Sequence, residues 1–151
     1  MENMNRIRFS HIALNCQDPI RIEAFYAKHF GFERTRVYDP GEHEVVMIRL
    51  GECYIELFPA QQERPLPPPE KDGYSFAGMR HFCFEVDDLD TILASMGDEA
   101  IISLGPLDMG QYIDDMKVAW IKDPEGNIIE LNQGYRDQLE PPVFDANLKV
   151  V

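Results

Sequence analysis

Four side chains in this sequence have the types and the placement to hold a divalent cation: His11, Glu56, His81 and Glu130. Each histidine opens an alternating segment, Ser10-His11-Ile12-Ala13-Leu14-Asn15 in one case and His81-Phe82-Cys83-Phe84-Glu85-Val86 in the other. Each glutamate lies inside a further one, Tyr54-Ile55-Glu56-Leu57 and Ile128-Ile129-Glu130-Leu131. The two histidines and the two glutamates are separated by nearly the same interval of chain, so the sequence reads as one module written twice. Singly, each candidate is weak. A histidine at a strand start is more often a hydrogen-bonded structural group, and a glutamate between Ile and Leu is usually the solvent-facing member of an alternation. Jointly they are stronger, because all four fall on the face opposite the one that must receive the helices. Imidazoles and carboxylates lining a concave surface are costly unless paired or bound to an ion. Two neutral imidazoles and two carboxylates suit one divalent nickel, cobalt, zinc, iron or manganese ion, and the sequence does not choose among these metals. In an octahedral shell such a set leaves two positions for water or substrate oxygens.

The elements that must position these groups follow from periodicity and punctuation. Residues 6–15 alternate as a strand, with Ile12 and Leu14 on one face and His11, Ala13 and Asn15 on the other. Asp18-Pro19 starts a helix whose stripe of Ile22, Phe25, Tyr26 and Phe30 ends at Gly31, and which should pack on the Ile12/Leu14 face. Strands follow near 32–38, 44–50 and 53–59, divided by Pro40-Gly41 and Gly51-Glu52 turns. The first module is thus a strand, a helix and three strands over 6–59. Residues 60–78, with Pro65, Pro67, Pro68 and Pro69, read as a stiff exposed connector. The second module, 79–133, opens with a strand at 79–86 and a helix near 88–97, then continues through strand traces at 100–104, about 109–115, 117–122 and 127–132. Residues 134–151 carry no clear pattern. The fold expected is α+β: two tandem βαβββ modules forming a curved mixed sheet with helices on its convex side, in a single domain spanning 1–151.

Parity then names the walls of a substrate pocket. Tyr54, Phe58 and Asn132 share the face of the glutamates, Asn15 and Cys83 that of the histidines, and Met47 and Trp120 occupy matching places in the two modules. Cys83 reads better as a small pocket or core side chain than as a further ligand. His29 and His43 are expected to be exposed.

At 151 residues the chain is long enough to bury a core, and with 44% hydrophobic and 27% charged residues it has the composition of a globular domain. Its apolar runs fall far short of the roughly 20 residues that span a bilayer, and Met1-Glu2-Asn3-Met4-Asn5-Arg6 is too polar for a secretory leader. Cys16, Cys53 and Cys83 form no close pair, which points to a reducing, cytoplasmic setting. A net charge of −13 argues against nucleic acid as a partner. It does not exclude an anionic small molecule, because a bound divalent ion reverses the local field.

The paired modules, the first-strand histidines His11 and His81, the closing-strand glutamates Glu56 and Glu130, and the stretch Asp123-Pro-Glu-Gly-Asn-Ile-Ile-Glu-Leu131 resemble the vicinal oxygen chelate superfamily, as does Phe25-Tyr-Ala-Lys-His-Phe-Gly-Phe32. That superfamily includes glyoxalase I, methylmalonyl-CoA epimerase, extradiol dioxygenases and the fosfomycin and bleomycin resistance proteins. The likeness covers residues 6–133. By its ligand set the chain is most similar to glyoxalase I, which implies a metal-dependent lyase or isomerase that moves a proton next to a carbonyl through an enediolate. Glu130 and Glu56 would then be the acid-base groups, with Glu130 favoured as the base. Alternatives under the same resemblance are a methylmalonyl-CoA-epimerase-like enzyme and a small-molecule binding or resistance protein. A dioxygenase ranks lower, because a fourth protein ligand at Glu56 would occupy a position that catecholate and oxygen need. A homodimer is expected, with the four ligands drawn either from one chain or from two. Basic residues to hold the carboxylates of glutathione are not evident in the sequence.

Overall fold

The computed structural model describes residues 7–38 and 44–143; the Pro40-Gly41 turn, His43 and the two chain ends lie outside them. Each module builds its own four-stranded mixed sheet. In the first, β1 (His11–Cys16) is followed by α1 (Pro19–Phe30), β2 (Glu33–Tyr38), β3 (Val45–Leu50) and β4 (Cys53–Pro59), in the spatial order β1-β4-β3-β2. In the second, β5 (Phe82–Glu85) is followed by α2 (Leu89–Met96), β6 (Ile101–Asp108), β7 (Lys117–Lys122) and β8 (Ile128–Gln133), in the order β5-β8-β7-β6. The first and last strands of each module run parallel and the rest antiparallel, so the two halves repeat one topology.

Local chemistry sets the helix limits. The Asp18 carboxylate accepts from Arg21 N at 3.0 Å with Pro19 at the first helical position, and Asp88 accepts from Thr91 N at 2.9 Å. Gly31 ends α1 with φ 76, a left-handed turn that glycine enters without a Cβ penalty.

The strand expected at 109–115 does not form. Instead β6 runs as one strand to Asp108, and residues 109–116 close a compact loop tied by Met109 N to Met116 O at 2.9 Å. The cause is local: Asp108 Oδ1 accepts from Gly110 N at 2.7 Å, and Asp115 takes φ 64, so the chain folds back before a ladder can extend.

A single core joins the two halves. Leu14, Cys16, Val46, Ile48, Ile55 and Leu57 of the first sheet pack with Ala119, Ile121, Ile129 and Leu131 of the second, and Ile22, Phe25, Tyr26, Leu89 and Met96 of the helices share the same cluster. Helix α1 packs on its own sheet, as its stripe predicts, and also touches the second module: the Tyr26 ring lies 6.1 Å from Phe82, and Phe30 lies 4.7 Å from Phe84. His29, expected to be exposed, is drawn in by this packing. Its side chain is 3% exposed, stacked edge-on against Phe25 and 2.6 Å from Glu99.

A buried polar knot locks the modules together. Tyr26 Oη donates to Asp123 Oδ2 at 3.1 Å, Asn127 Nδ2 donates to the same oxygen at 2.7 Å, and the N–H groups of Glu125 and Asn127 donate to Oδ1. Burial is the largest influence on the Asp123 carboxyl and lifts it above the usual carboxylate range, outweighing the hydrogen bonds that pull it down. The folded state therefore holds this proton more tightly than the unfolded chain. Its contribution to stability falls as pH rises from the unfolded value through the raised folded one. Tyr26→Phe removes one donor and leaves Asn127 on the same oxygen. Urea unfolding should show a loss of about 1 kcal/mol with an unchanged slope. An unshifted midpoint would mean that the knot does not hold the halves together.

Candidate functional site

The register puts the candidate ligands where parity expects them. His11 lies beside Tyr54 and Ala13 beside Glu56 across the parallel β1-β4 pair, so imidazole and carboxylate share one face. His11 Nε2 is 3.3 Å from Glu56 Oε2, and its Nδ1 meets Ser10 Oγ at 2.9 Å. In the second module Cys83 is the partner of Glu130, and His81, two residues before Cys83, places Nε2 2.8 Å from Glu130 Oε2. The two modules thus carry equivalent His–Glu pairs.

The four residues do not come together within one chain. Among the described residues no group of three or more His, Cys, Asp or Glu side chains stands close enough to hold a metal ion. Each sheet commits the face opposite its His–Glu pair to the common core, so each pair lies on the far face of its own sheet.

The chemistry of the second pair nevertheless fits a cation. A carbonyl oxygen can only accept, so the 2.6 Å contact between His81 Nδ1 and Asp72 O puts the ring proton on Nδ1. In the neutral ring Nε2 then turns its lone pair toward a carboxylate oxygen, and two acceptors at that separation need a proton or a cation between them. A ring N–H fixed on a backbone carbonyl is also the usual support behind a metal-binding histidine.

The surroundings of the two pairs differ. Met47 is the register partner of Glu56, and it lines with Ser10, Thr35, Arg36, Tyr38 and Tyr54 an open depression of about 310 Å³. Phe58 and its register partner Asn15 lie further along the same face. In the second module Trp120 stands opposite Glu130, packed with Val118, Ile128, Leu104, Met109 and Met116 in a second apolar cluster. The 109–116 loop therefore screens this half-site. Asn132 Nδ2 donates to Glu130 Oε1 at 2.9 Å, so both oxygens of that carboxylate are engaged. Cys83 beside it is pushed up to about 12, first by burial and then by the Glu130 charge, and so stays a neutral thiol at ordinary pH.

The connector has a role that its proline content hides. Besides Asp72 O on His81, the Asp72 carboxylate holds Arg80 through Nε at 3.1 Å and Nη2 at 2.6 Å. Arg64 and Arg80 line, with Leu66, Phe76 and His81, a cavity of about 250 Å³ between connector and sheet. These are basic residues next to a candidate ligand that strand parity could not reveal. The available cue was the Asp72-Gly73 turn, placed eight residues before Arg80-His81.

Comparison with known proteins agrees with this architecture. The family model for the glyoxalase/bleomycin resistance protein/dioxygenase superfamily matches residues 8–131. The chain belongs to this superfamily. Among its relatives, human mitochondrial methylmalonyl-CoA epimerase is 28% identical over 133 residues, covering 83% of this chain and 73% of that protein. A glyoxalase/dioxygenase from Nostoc punctiforme superposes with a TM-score of 0.67 at 22% identity, covering 89% of this chain and 94% of the other. Lactoylglutathione lyase from Agrobacterium tumefaciens does so with 0.57 at 26% identity, covering 86% and 96%. Superfamily membership thus accounts for the duplicated βαβββ plan.

Gly73 offers a test of the connector. It has φ 87, and an added Cβ would lie 1.9 Å from Arg80 O. Gly73→Ala must displace the turn that carries Asp72 O, at a cost of about 1–3 kcal/mol. In proton NMR the His81 Nδ1–H, protected from exchange in the parent, should exchange freely in the variant. A retained, protected resonance would show that something else holds the ring.

Proposed function

We propose that the protein is a divalent-metal-dependent isomerase or lyase of glyoxalase I type, moving a proton from the carbon next to a carbonyl to the carbonyl carbon. The observation that carries this reading is the pair of equivalent His–Glu contacts, each with the other ring nitrogen held from behind, and in His81 with the lone pair of the neutral ring toward the carboxylate. His11, Glu56, His81 and Glu130 would hold one ion. Because the two pairs do not gather into one group among the described residues of a single chain, we infer that His11 and Glu56 of one protomer meet His81 and Glu130 of a second in a homodimer. When bound, the ion supplies positive charge where negative charge develops on substrate oxygens as the carbon acid loses its proton.

The residues of the chain do the rest. Ser10 and Asp72 orient the two imidazoles. A glutamate takes the proton from the carbon next to the carbonyl and returns it to the neighbouring carbon, a service worth about 10²–10⁴-fold. The expectation drawn from the family resemblance is Glu130 for this task, whereas the contacts favour Glu56. Glu130 is tied on both oxygens, by Asn132 and His81, whereas Glu56 has the single 3.3 Å contact with His11. A base that must swing between ligand and substrate is better served by the looser group.

A second reading, an epimerase acting on a 2-substituted acyl-CoA ester, draws on the similarity to methylmalonyl-CoA epimerase. The arginines beside His81 suit an anionic substrate arm in either case. Assays with a glutathione hemithioacetal and with a chiral 2-methyl acyl-CoA ester on metal-loaded protein separate the two. Turnover of the hemithioacetal is expected, and turnover of the ester alone would favour the epimerase. Glu56→Gln should lower kcat by at least 10²-fold and by more than Glu130→Gln lowers it at saturating metal. No turnover of either substrate, or equal residual rates in the two variants, would count against the corresponding part of the proposal.

A further inference from the structure

The cavity of about 250 Å³ between the connector and the second sheet differs in charge from the rest of the molecule. The chain has 27 Asp and Glu against 14 Lys and Arg, yet among the described residues no carboxylate lines this space, whereas Arg64, Arg80 and His81 do. The two arginines are not equivalent. Arg80 is committed to Asp72, to which its Nε and Nη2 both donate, while Arg64 forms no ion pair among the described residues. Arg64 therefore has a guanidinium fork to offer a ligand. The other walls are largely apolar. Leu66, Phe76 and Met79 are 44%, 47% and 62% exposed, and all three line this one cavity. Large apolar side chains scattered singly in water need no explanation, but several gathered around one recess mark a binding surface.

We propose that this cavity binds an apolar arm ending in a carboxylate, with the carboxylate on Arg64 and the methylenes on Leu66, Phe76 and Met79. Neither part holds a ligand well alone, since an exposed ion pair contributes little and a short chain buries little area. Joined in one molecule, they select for both features. A cationic arm would meet two arginines, a neutral one would make no use of Arg64, and a small polar anion would forgo the apolar walls. The volume lies below the roughly 300–1,000 Å³ that whole drug-sized ligands fill, so the space suits one arm of a ligand rather than all of it. His81 lines the same cavity, which puts the arm beside a candidate metal ligand. That the arm belongs to the substrate rests on the functional proposal; that the cavity takes such an arm does not.

The Met79 methyl group reports on the cavity, its resonance being assigned by Met79→Leu in protein labelled at the methionine methyls. Hexanoate, hexan-1-ol and acetate are titrated against the full-length protein before and after chelation of metal. Hexanoate should shift the Met79 resonance saturably, with a dissociation constant at least tenfold below those of the other two, in both preparations. Arg64→Gln, with unchanged far-ultraviolet circular dichroism, should reduce the preference for hexanoate over hexan-1-ol to within about twofold and leave the alcohol's affinity unchanged. Should that variant fail to fold, the wild-type Arg64 Nε–H resonance decides, moving with hexanoate and not with hexan-1-ol. Equal affinity for hexanoate and the alcohol, or a preference that survives in Arg64→Gln, would overturn the assignment of the carboxylate. Equal affinity for hexanoate and acetate would reduce the site to a surface arginine and overturn it as well. Because binding is read without metal or turnover, its absence leaves the isomerase reading standing, and a lack of turnover leaves the arm site standing.

Discussion

The constraint on which the rest depends is that two sheets share one core. Each βαβββ module has a face of Leu, Ile and Val that a helix must cover, and here both faces and both helices are spent on the same apolar cluster. Burial of this kind is the dominant favourable term in folding and has no direction of its own. The direction comes from the pleat: once Ile55, Leu57, Ile129 and Leu131 point inward, Glu56 and Glu130 must point outward. The knot of Tyr26, Asp123 and Asn127 then fixes how the halves meet, because a buried carboxylate accepts only arrangements that satisfy both of its oxygens.

The duplicated plan conceals a division of labour. The first half-site is open, with a carboxylate held at one point among the described residues and walls that mix Tyr38, Met47 and Tyr54 with Ser10, Thr35 and Arg36. The second is screened by the 109–116 loop, floored by Trp120, and contains a carboxylate held at two points. Under the proposed function, a carboxylate held at two points on one side and a looser one on the other suit moving a proton over a short distance, since only one of the two acidic groups must change position.

Much of this was legible in the residues, and for identifiable reasons. The strand parity of His11, Glu56, His81 and Glu130, the Asp18 and Asp88 caps and the Gly31 stop are local features, and each appears where its local rule puts it. The strand expected at 109–115 does not form, because Asp108 and Asp115 impose a turn that outweighs the apolar content of Met109, Tyr112 and Ile113. His29 was misjudged for a different reason. Its burial comes from the opposite module, and a helical stripe cannot report what packs against its flank. Asp72 and the connector arginines were missed because their value lies in a backbone carbonyl and a cavity wall, neither of which has a sequence period.

The central claim is that two chains complete each metal centre, and mixing two disabled chains tests it. His11→Ala/Glu56→Ala and His81→Ala/Glu130→Ala proteins are prepared separately, co-refolded, and the mixed dimer is isolated by differential tags for metal analysis. The account predicts that neither parent holds metal tightly and that the mixed dimer regains one tight site of the two in the native dimer, because one of its interfaces brings all four intact ligands together. A mixed dimer that forms and binds no metal would contradict it, and so would a native protein that binds metal tightly as a monomer.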